Sequence, residues 1–373
     1  MILVIGLILF VYVITISQLI YGFDQIPTYT KSDDKPETYF AIVVPFRNES
    51  TNLHSLLESF KNLNYPKTLF EIIFVDDFSE DDSVKQIFKW RMENGSFHTT
   101  LLENLRISNS PKKDAISRAI PIITNEWIVT TDADCVVPEN WLLTLDNYIQ
   151  NHDVSMIVGS VSYNCKKSFL HCFQQLDLLS LQGTTIGSFG LGLGFMCNGA
   201  NFCYTKSLFT ELNGFNGNNT LASGDDVFLV QKAMQSQPDK VHYLKSKMNI
   251  VHTKPLNNWK SLFHQRVRWA SKTTSYESVF GKDLAVIVFT CNLCLLFGFL
   301  LCVFKELQWQ IFSVLVLIKF AFDFILLKKT NSFFTKKRMH YWVLSSVLYP
   351  FFCVGVALFS LFGSYEWKGR KFN

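Results

Sequence analysis

The chain has 373 residues, 48% of them hydrophobic and 15% aromatic, with 35 Phe, nine Cys and a formal net charge of +4. So small a positive balance, without a polybasic stripe interleaved with aromatics, excludes a nucleic-acid binder. The odd, scattered cysteines fit a reducing compartment rather than a disulfide framework, and apolar residues crowd both ends around an ordinary middle, the pattern of a soluble-type domain held between membrane segments.

In chain order, residues 1–22 come first, almost wholly apolar and uncharged through position 20. They lack the basic n-region and small-residue cleavage site of a cleavable signal peptide, so an uncleaved anchor is expected. Residues 23–37 read as a tether. A strand then runs from Tyr39 to Val44 and is expected to end at Pro45. An amphipathic helix follows over Asn52–Asn62, and a second buried strand over Phe70–Val75. Trp127–Thr131 is a further strand that runs straight into Asp132. Short apolar runs separated by helical periods predict an α/β domain over 38–275, a largely parallel sheet wrapped by helices. In such sheets ligands bind beyond the carboxyl ends of the strands, where the acidic motifs fall.

Residues 276–373 are expected to form a C-terminal membrane region. Leu284–Phe304, Trp309–Leu327 and Tyr341–Gly363 are each long enough to cross a hydrocarbon core of about 30 Å at about 1.5 Å per residue. Lys319 and Asp323 are spaced i, i+4 and share one helix face, which predicts an ion pair inside a helix bundle. Cys291 and Cys294 have metal-ligand spacing, but in an apolar run without other ligands they read as small buried hydrophobes. The loop 328–340 holds Lys328, Lys329, Lys336, Lys337 and Arg338 and no acid. Basic loops face the cytoplasm, so the central domain is expected there too. Three C-terminal spans would place the tail, with Lys368, Arg370 and Lys371, on the opposite side, against that trend.

The polar motifs carry the chemistry. Asp132-Ala133-Asp134 places two carboxylates at i, i+2 at a strand end, where they are expected to point to one side as hard ligands for Mg²⁺ or Mn²⁺. Such a metal binds a diphosphate and offsets charge on it. Asp77, after the second strand, can bond a base or ribose, while Asp76 reads as structural. Gly224-Asp225-Asp226 opens a helix, and a carboxylate there stays ionised and can accept a proton. Capping by Asp225 is the plainer role and is compatible with it. In Gln265-Arg266-Val267-Arg268-Trp269, helical spacing clusters Gln265, Arg268 and Trp269 on one face. Arg268 can fork onto phosphate oxygens and Trp269 can stack on a sugar, although an interfacial membrane helix also favours Trp and Arg. Glu49 can equally serve the first turn of the next helix. Lys112 can equally be a surface lysine. His252 can approach the metal, with a surface or hydrogen-bonding role the plainer reading.

In this order the motifs resemble those of the membrane-bound family 2 glycosyltransferases of GT-A fold, the group of the cellulose, chitin and hyaluronan synthases and ceramide glucosyltransferase. The resemblance covers residues 38 to 270, roughly. It implies that the first strand-turn, with Pro45 and Glu49, walls a nucleotide pocket, and that Asp77 contacts the uracil of a UDP-sugar. It implies that Lys112 lies near the diphosphate, although Pro111 stands where the family has Gly. Asp134 is implied as the main metal ligand, with Asp132 beside it. Asn198 and Gly199 would lie beside sugar and acceptor, and Asp226 would be the catalytic base, with Asp225 in place of the family's Glu. Gln265 and Arg268 would hold the diphosphate and Trp269 the acceptor. The implied activity is inverting, metal-dependent transfer from a nucleotide-sugar to a hydroxyl of a membrane lipid acceptor at the cytoplasmic face. The alternatives are a processive polysaccharide synthase with a glycan acceptor, and a non-catalytic membrane scaffold on the same fold.

Overall fold

A computed structural model describes residues 2–30, 34–217, 223–335, 337–362, 365–367 and 370–372; Lys336, Gly363 and Lys368 lie outside them. In chain order the elements begin with α1 (Ile2–Gln25), β1 (Phe40–Phe46), α2 (Leu53–Lys61), β2 (Phe70–Asp76), α3 (Ser83–Glu93), β3 (His98–Glu103) and α4 (Pro111–Ala119). Next come β4 (Trp127–Thr130), β5 (Cys135–Val136), α5 (Trp141–Asn151), β6 (Met156–Val158), β7 (Val161–Tyr163) and α6 (Phe169–Gly190). Then follow β8 (Phe202–Thr205), α7 (Lys206–Glu211), α8 (Asp225–Ser236), β9 (Val241–Tyr243), β10 (Val251–Thr253) and α9 (Trp259–Ala270). The last are α10 (Val279–Val303), α11 (Trp309–Phe334), α12 (Trp342–Phe362), β11 (Tyr365–Trp367) and β12 (Arg370–Phe372).

These elements form two compact units. The sheet unit comprises Pro27–Asn164 and Met196–Lys254. Its main sheet has seven strands in the order β3-β2-β1-β4-β8-β6-β9. The first four are mutually parallel, β8 runs antiparallel to β4 and β6, and β9 is parallel to β6. Ile42–Val44 and Ile72–Val75 are wholly buried, as β-branched and aromatic runs must be when helices cover both faces of a parallel sheet. Phe40, Ile42, Val44 and Phe74 pack with Leu53, Leu56 and Phe60 of α2 and Trp141 of α5 in one core. A smaller sheet, β5-β10-β7, begins at Cys135, next to Asp134.

The first strand does not end at Pro45 as expected but continues to Phe46. The Phe46 carbonyl bonds Asp77 N–H on the β2 side, so Pro45, one residue earlier, faces the other side. There the pairing with β4 has stopped at Val43 and Thr130, so no ladder bond is missing.

The helical unit comprises Met1–Ile26, Cys165–Phe195 and Pro255–Asn373. Among the described residues, four of its helices, α1, α10, α11 and α12, are long and apolar enough to cross a membrane. Within the 38–275 expected for the α/β domain, α6 and α9 group with the terminal helices. The reason lies in their contact faces. A Cβ on Gly187 of α6 would stand 2.4 Å from the Leu19 carbonyl oxygen of α1, so the two backbones touch, as small residues allow. Val267 of α9 packs on Val356 of α12. The expected Lys319–Asp323 ion pair forms at 2.9 Å and is extended by neighbours. Asn292 of α10 accepts from Lys319 at 3.1 Å, and Tyr12 of α1 donates to Asp323 at 2.6 Å. Cys291 and Cys294 are free thiols.

Candidate active site

The site is built at the carboxyl ends of β2, β1 and β4. Asp76 accepts from Ser79 N–H and closes the turn after β2. Asp77 follows, buried, its carboxylate accepting from Asn104 Nδ2 at 2.8 Å with Arg106 at 3.4 Å. Asn104 also donates to the Pro111 carbonyl at 3.1 Å, so Asp77 is fastened to the start of α4. Glu49 is tied to the start of α2, accepting from Asn52 Nδ2 at 2.7 Å, the helix-side role its position allowed.

Pro111 is the first residue of α4. Its fixed φ suits that position and its missing N–H is one that no helical bond would use, which accounts for Pro where the resembled family has Gly. The next residue, Lys112, sets its ammonium 2.6 Å from Asp132 and 3.3 Å from Asp225. Burial alone would lower its pKa, but the charges of Asp132, Asp225 and Asp226 outweigh that and raise it well above the ordinary value.

The structure corrects how the two metal-motif carboxylates come together. Asp132 and Asp134 sit in the turn between β4 and β5, closed by Cys135 N–H on the Asp132 carbonyl at 3.1 Å. The turn, not the pleat of a strand, brings them to one side. One carboxylate oxygen of each and the Cys135 Sγ lie within 4.8 Å of one another. Burial, then the charges of Asp134 and Asp132, raise the Cys135 pKa well above its ordinary value. Two hard oxygens beside a protonated thiol fit Mg²⁺ or Mn²⁺ better than a soft metal. His252 lies exposed on β10, in register with Val136, and does not belong to this group.

Two more segments complete the site. Gly199 lies in the turn before β8; its carbonyl accepts from Thr130 Oγ1 at 2.7 Å and its N–H donates to Asp226 Oδ2 at 2.8 Å. Asn198 braces the same turn by accepting from Ala200 N–H at 3.1 Å. Capping by Asp225 is corrected as well. Gly224, with φ of 90°, is the N-cap of α8, and Asp225 is the first helical residue, its carboxylate turned to Lys112. The other Asp226 oxygen accepts from Val227 N–H at 2.8 Å. A Cβ on Gly199 would lie 3.0 Å from Lys112 Nζ, 3.1 Å from the Asp225 carboxylate and 3.4 Å from Asp226 Cβ. Four sequence-distant segments therefore converge at one point.

Gln265, Arg268 and Trp269 are on α9 of the helical unit. Arg266, which helical spacing alone does not single out, also meets Gln265 and Trp269. Its Nη1 donates to Gln265 Oε1, its guanidinium lies 4.2 Å from the Trp269 ring centre, and its Nε donates to buried Asp177 of α6 at 2.5 Å. Asn104 and Arg106 were passed over. For Asn104 a signal existed, since it directly follows β3, as Asp77 follows β2.

Residues 127–362 match the family described as glycosyl transferase family group 2, and residues 41–211 match glycosyl transferase family 2. The chain is 25% identical over 119 residues to the poly(ribitol-phosphate) beta-N-acetylglucosaminyltransferase TarS of Staphylococcus aureus, covering 32% of this chain and 20% of that protein. It is 26% identical over 137 residues to the poly-beta-1,6-N-acetyl-D-glucosamine synthase of the same organism, covering 36% of this chain and 32% of that one. The match thus spans less than a third of the length of either relative, at 20% and 32%. Among solved structures, the mannosyltransferase PcManGT of Pyrobaculum calidifontis, in complex with GDP-Man and Mn²⁺, superposes with a TM-score of 0.63 at 15% identity. The superposition covers 97% of this chain and 99% of that one, a likeness of fold.

Proposed function

The chain belongs to the family 2 glycosyltransferases and is a glycosyltransferase of GT-A fold, and from that premise we propose that it transfers a sugar from a UDP-sugar to a hydroxyl of a membrane lipid, with inversion. The observation that carries the reading is the convergence of Lys112, Asp132, Asp225 and Asp226 on the Gly199 turn.

Asp134 and Asp132 would hold a divalent cation. Bound there, it supplies a Lewis acid that offsets charge growing on the leaving diphosphate. Asp77, directly after β2, would bond the nucleoside, with Pro45 and Glu49 on the neighbouring strand-turn as its wall. Lys112 is placed to meet phosphate oxygens. Asp226 is proposed as the general base: its Oδ2 accepts from Gly199 N–H and its Oδ1 from Val227 N–H, so backbone donors fix the carboxylate that would take the acceptor's proton. One base suffices, because a diphosphate is already a good leaving group and direct displacement inverts the anomeric carbon. Gln265, Arg268 and Trp269 are proposed to serve diphosphate and acceptor. Lys328 and Lys329 in the last turns of α11, with Lys337 and Arg338 between α11 and α12, favour a cytoplasmic site.

A second reading has a specific observation behind it. Both curated relatives are named for N-acetylglucosamine chemistry, one acting on poly(ribitol-phosphate) and one making a polymer. An N-acetylglucosamine donor with a growing glycan as acceptor therefore stands as the alternative. Product length separates the readings. Mass spectrometry of membrane extracts from cells making the protein, against cells making Asp134→Ala, is expected to show a lipid carrying one sugar; a polymer would move the assignment to the second reading. In purified protein, Asp226→Asn is expected to keep UDP binding while transfer falls by roughly 10²- to 10⁴-fold. Loss of UDP binding in that variant would place Asp226 among the donor ligands, and metal-independent UDP binding by Asp134→Ala equal to the wild type would end the metal assignment.

A further inference from the structure

Behind the Gly199 turn lies a buried amide network that no step of the chemistry uses. Trp141, Ser160, Asn201 and Asn249 are 0%, 0%, 1% and 0% exposed. Asn201 Oδ1 accepts from Trp141 Nε1–H at 2.9 Å. Its Nδ2 donates to the Ser160 carbonyl at 2.9 Å and the Asn249 carbonyl at 2.6 Å, with Asn249 Oδ1 at 3.0 Å. Asn249 Nδ2 in turn donates to the Trp141 carbonyl at 3.2 Å. The orientation of the amide is unambiguous, because an indole N–H can only donate and a peptide carbonyl can only accept. No other side chain of this size both accepts and donates in one plane. Aspartate would face two carbonyls with an acceptor, and leucine would strand the indole N–H and both carbonyls in a dry interior.

The backbone of Asn201 is fixed as tightly. Its N–H donates to the Asn198 carbonyl at 3.0 Å and its carbonyl accepts from Gly159 N–H at 2.9 Å. The turn it ends is the one whose Gly199 N–H reaches Asp226 and whose Gly199 carbonyl reaches Thr130, two residues before Asp132. We propose that Asn201, clamped by Trp141 and Asn249, is a positioning residue that sets the Asp226 carboxylate through the Gly199 N–H. This rests on the reading of Asp226 as base. Misplacing a catalytic group by about 1 Å can cost on the order of 10²-fold in rate, so a rigid turn here is worth a buried polar network.

The test uses the full-length protein in detergent, with Trp141→Phe, which removes the indole donor and keeps an aromatic ring, and Asn249→Ser, which removes the partner amide. In each folded variant kcat is expected to fall roughly tenfold, while KM for the nucleotide-sugar and the Kd for UDP stay within about twofold. In the Asp226→Asn background the same changes are expected to lower residual transfer no further, because they act through the group already removed. Unchanged kcat in folded Trp141→Phe and Asn249→Ser overturns the proposal. So does a parallel loss of kcat, UDP binding and thermal stability, or losses that multiply with Asp226→Asn. Normal transfer by Asp226→Asn alone would instead sink the assignment of the base, a different failure.

Discussion

Lys112 sits where a cation is wanted before any metal or donor arrives, 2.6 Å from Asp132. An ammonium there and a divalent ion on the same carboxylate compete, since like charges at that range repel. Lys112→Met is therefore expected to tighten Mn²⁺ binding in the absence of nucleotide, roughly tenfold, while weakening UDP binding; titration calorimetry of the solubilised protein reads both. Mn²⁺ affinity that falls in Lys112→Met would show the lysine to be scaffolding rather than a competitor. At this scale the sequence was informative wherever a residue's own type carried the chemistry. Asp77, Lys112, Asp132, Asp134, Gly199 and Asp226 were all nameable from their type and motif; Lys112, Asp132, Gly199 and Asp226 come together, and Asp134 lies beside Asp132. Asn104, Asn201 and Arg266 were not, because their work depends on partners dozens of residues away, such as Asp77, Trp141 and Asp177. No periodicity marks such a partner.

Among elements, the strands of the parallel half were the most legible. β1, β2 and β4 are buried on both faces and read as continuous apolar runs. The grouping of α6 with the membrane helices was not legible. Its contact with α1 is made by glycines, which add nothing to a hydropathy profile, and Gln174, Asp177 and Gln182 dilute the rest. The polar network across α1, α10 and α11 yields the clearest element-scale expectation. Lys319→Met would leave Asp323 with Tyr12 but without its cation. Breaking one side of a buried pair costs about 3–5 kcal/mol, whereas removing both charges is far milder. Thermal melts in detergent should therefore rank wild type and Lys319→Met/Asp323→Leu well above Lys319→Met alone. Equal melting of the single and double variants would show that the pair is solvated and not shared between helices.

For the whole molecule, the four membrane-length helices among the described residues predict an integral membrane protein. Alkaline carbonate washing is expected to leave it in the membrane pellet. A cysteine introduced in place of Lys337, in a variant otherwise purged of reactive thiols, is expected to be labelled only by reagents reaching the cytoplasmic side. Labelling from outside would invert the orientation drawn from the basic loop.

The two units are not consecutive in the chain, which passes between them at 26/27, 164/165, 195/196 and 254/255. A ribosome delivers residues in order, so α1 emerges long before α6, α10 and α11, the helices it packs against. Nor can the seven-stranded sheet close until β9, at Val241–Tyr243, has been made. During synthesis the first helix must therefore wait with its tyrosine and glycine face unshielded, and a half-built sheet must wait with open edges. Slow translation, or a shortage of insertion and chaperone factors, would penalise this arrangement more than one in which each folding body is finished before the next begins.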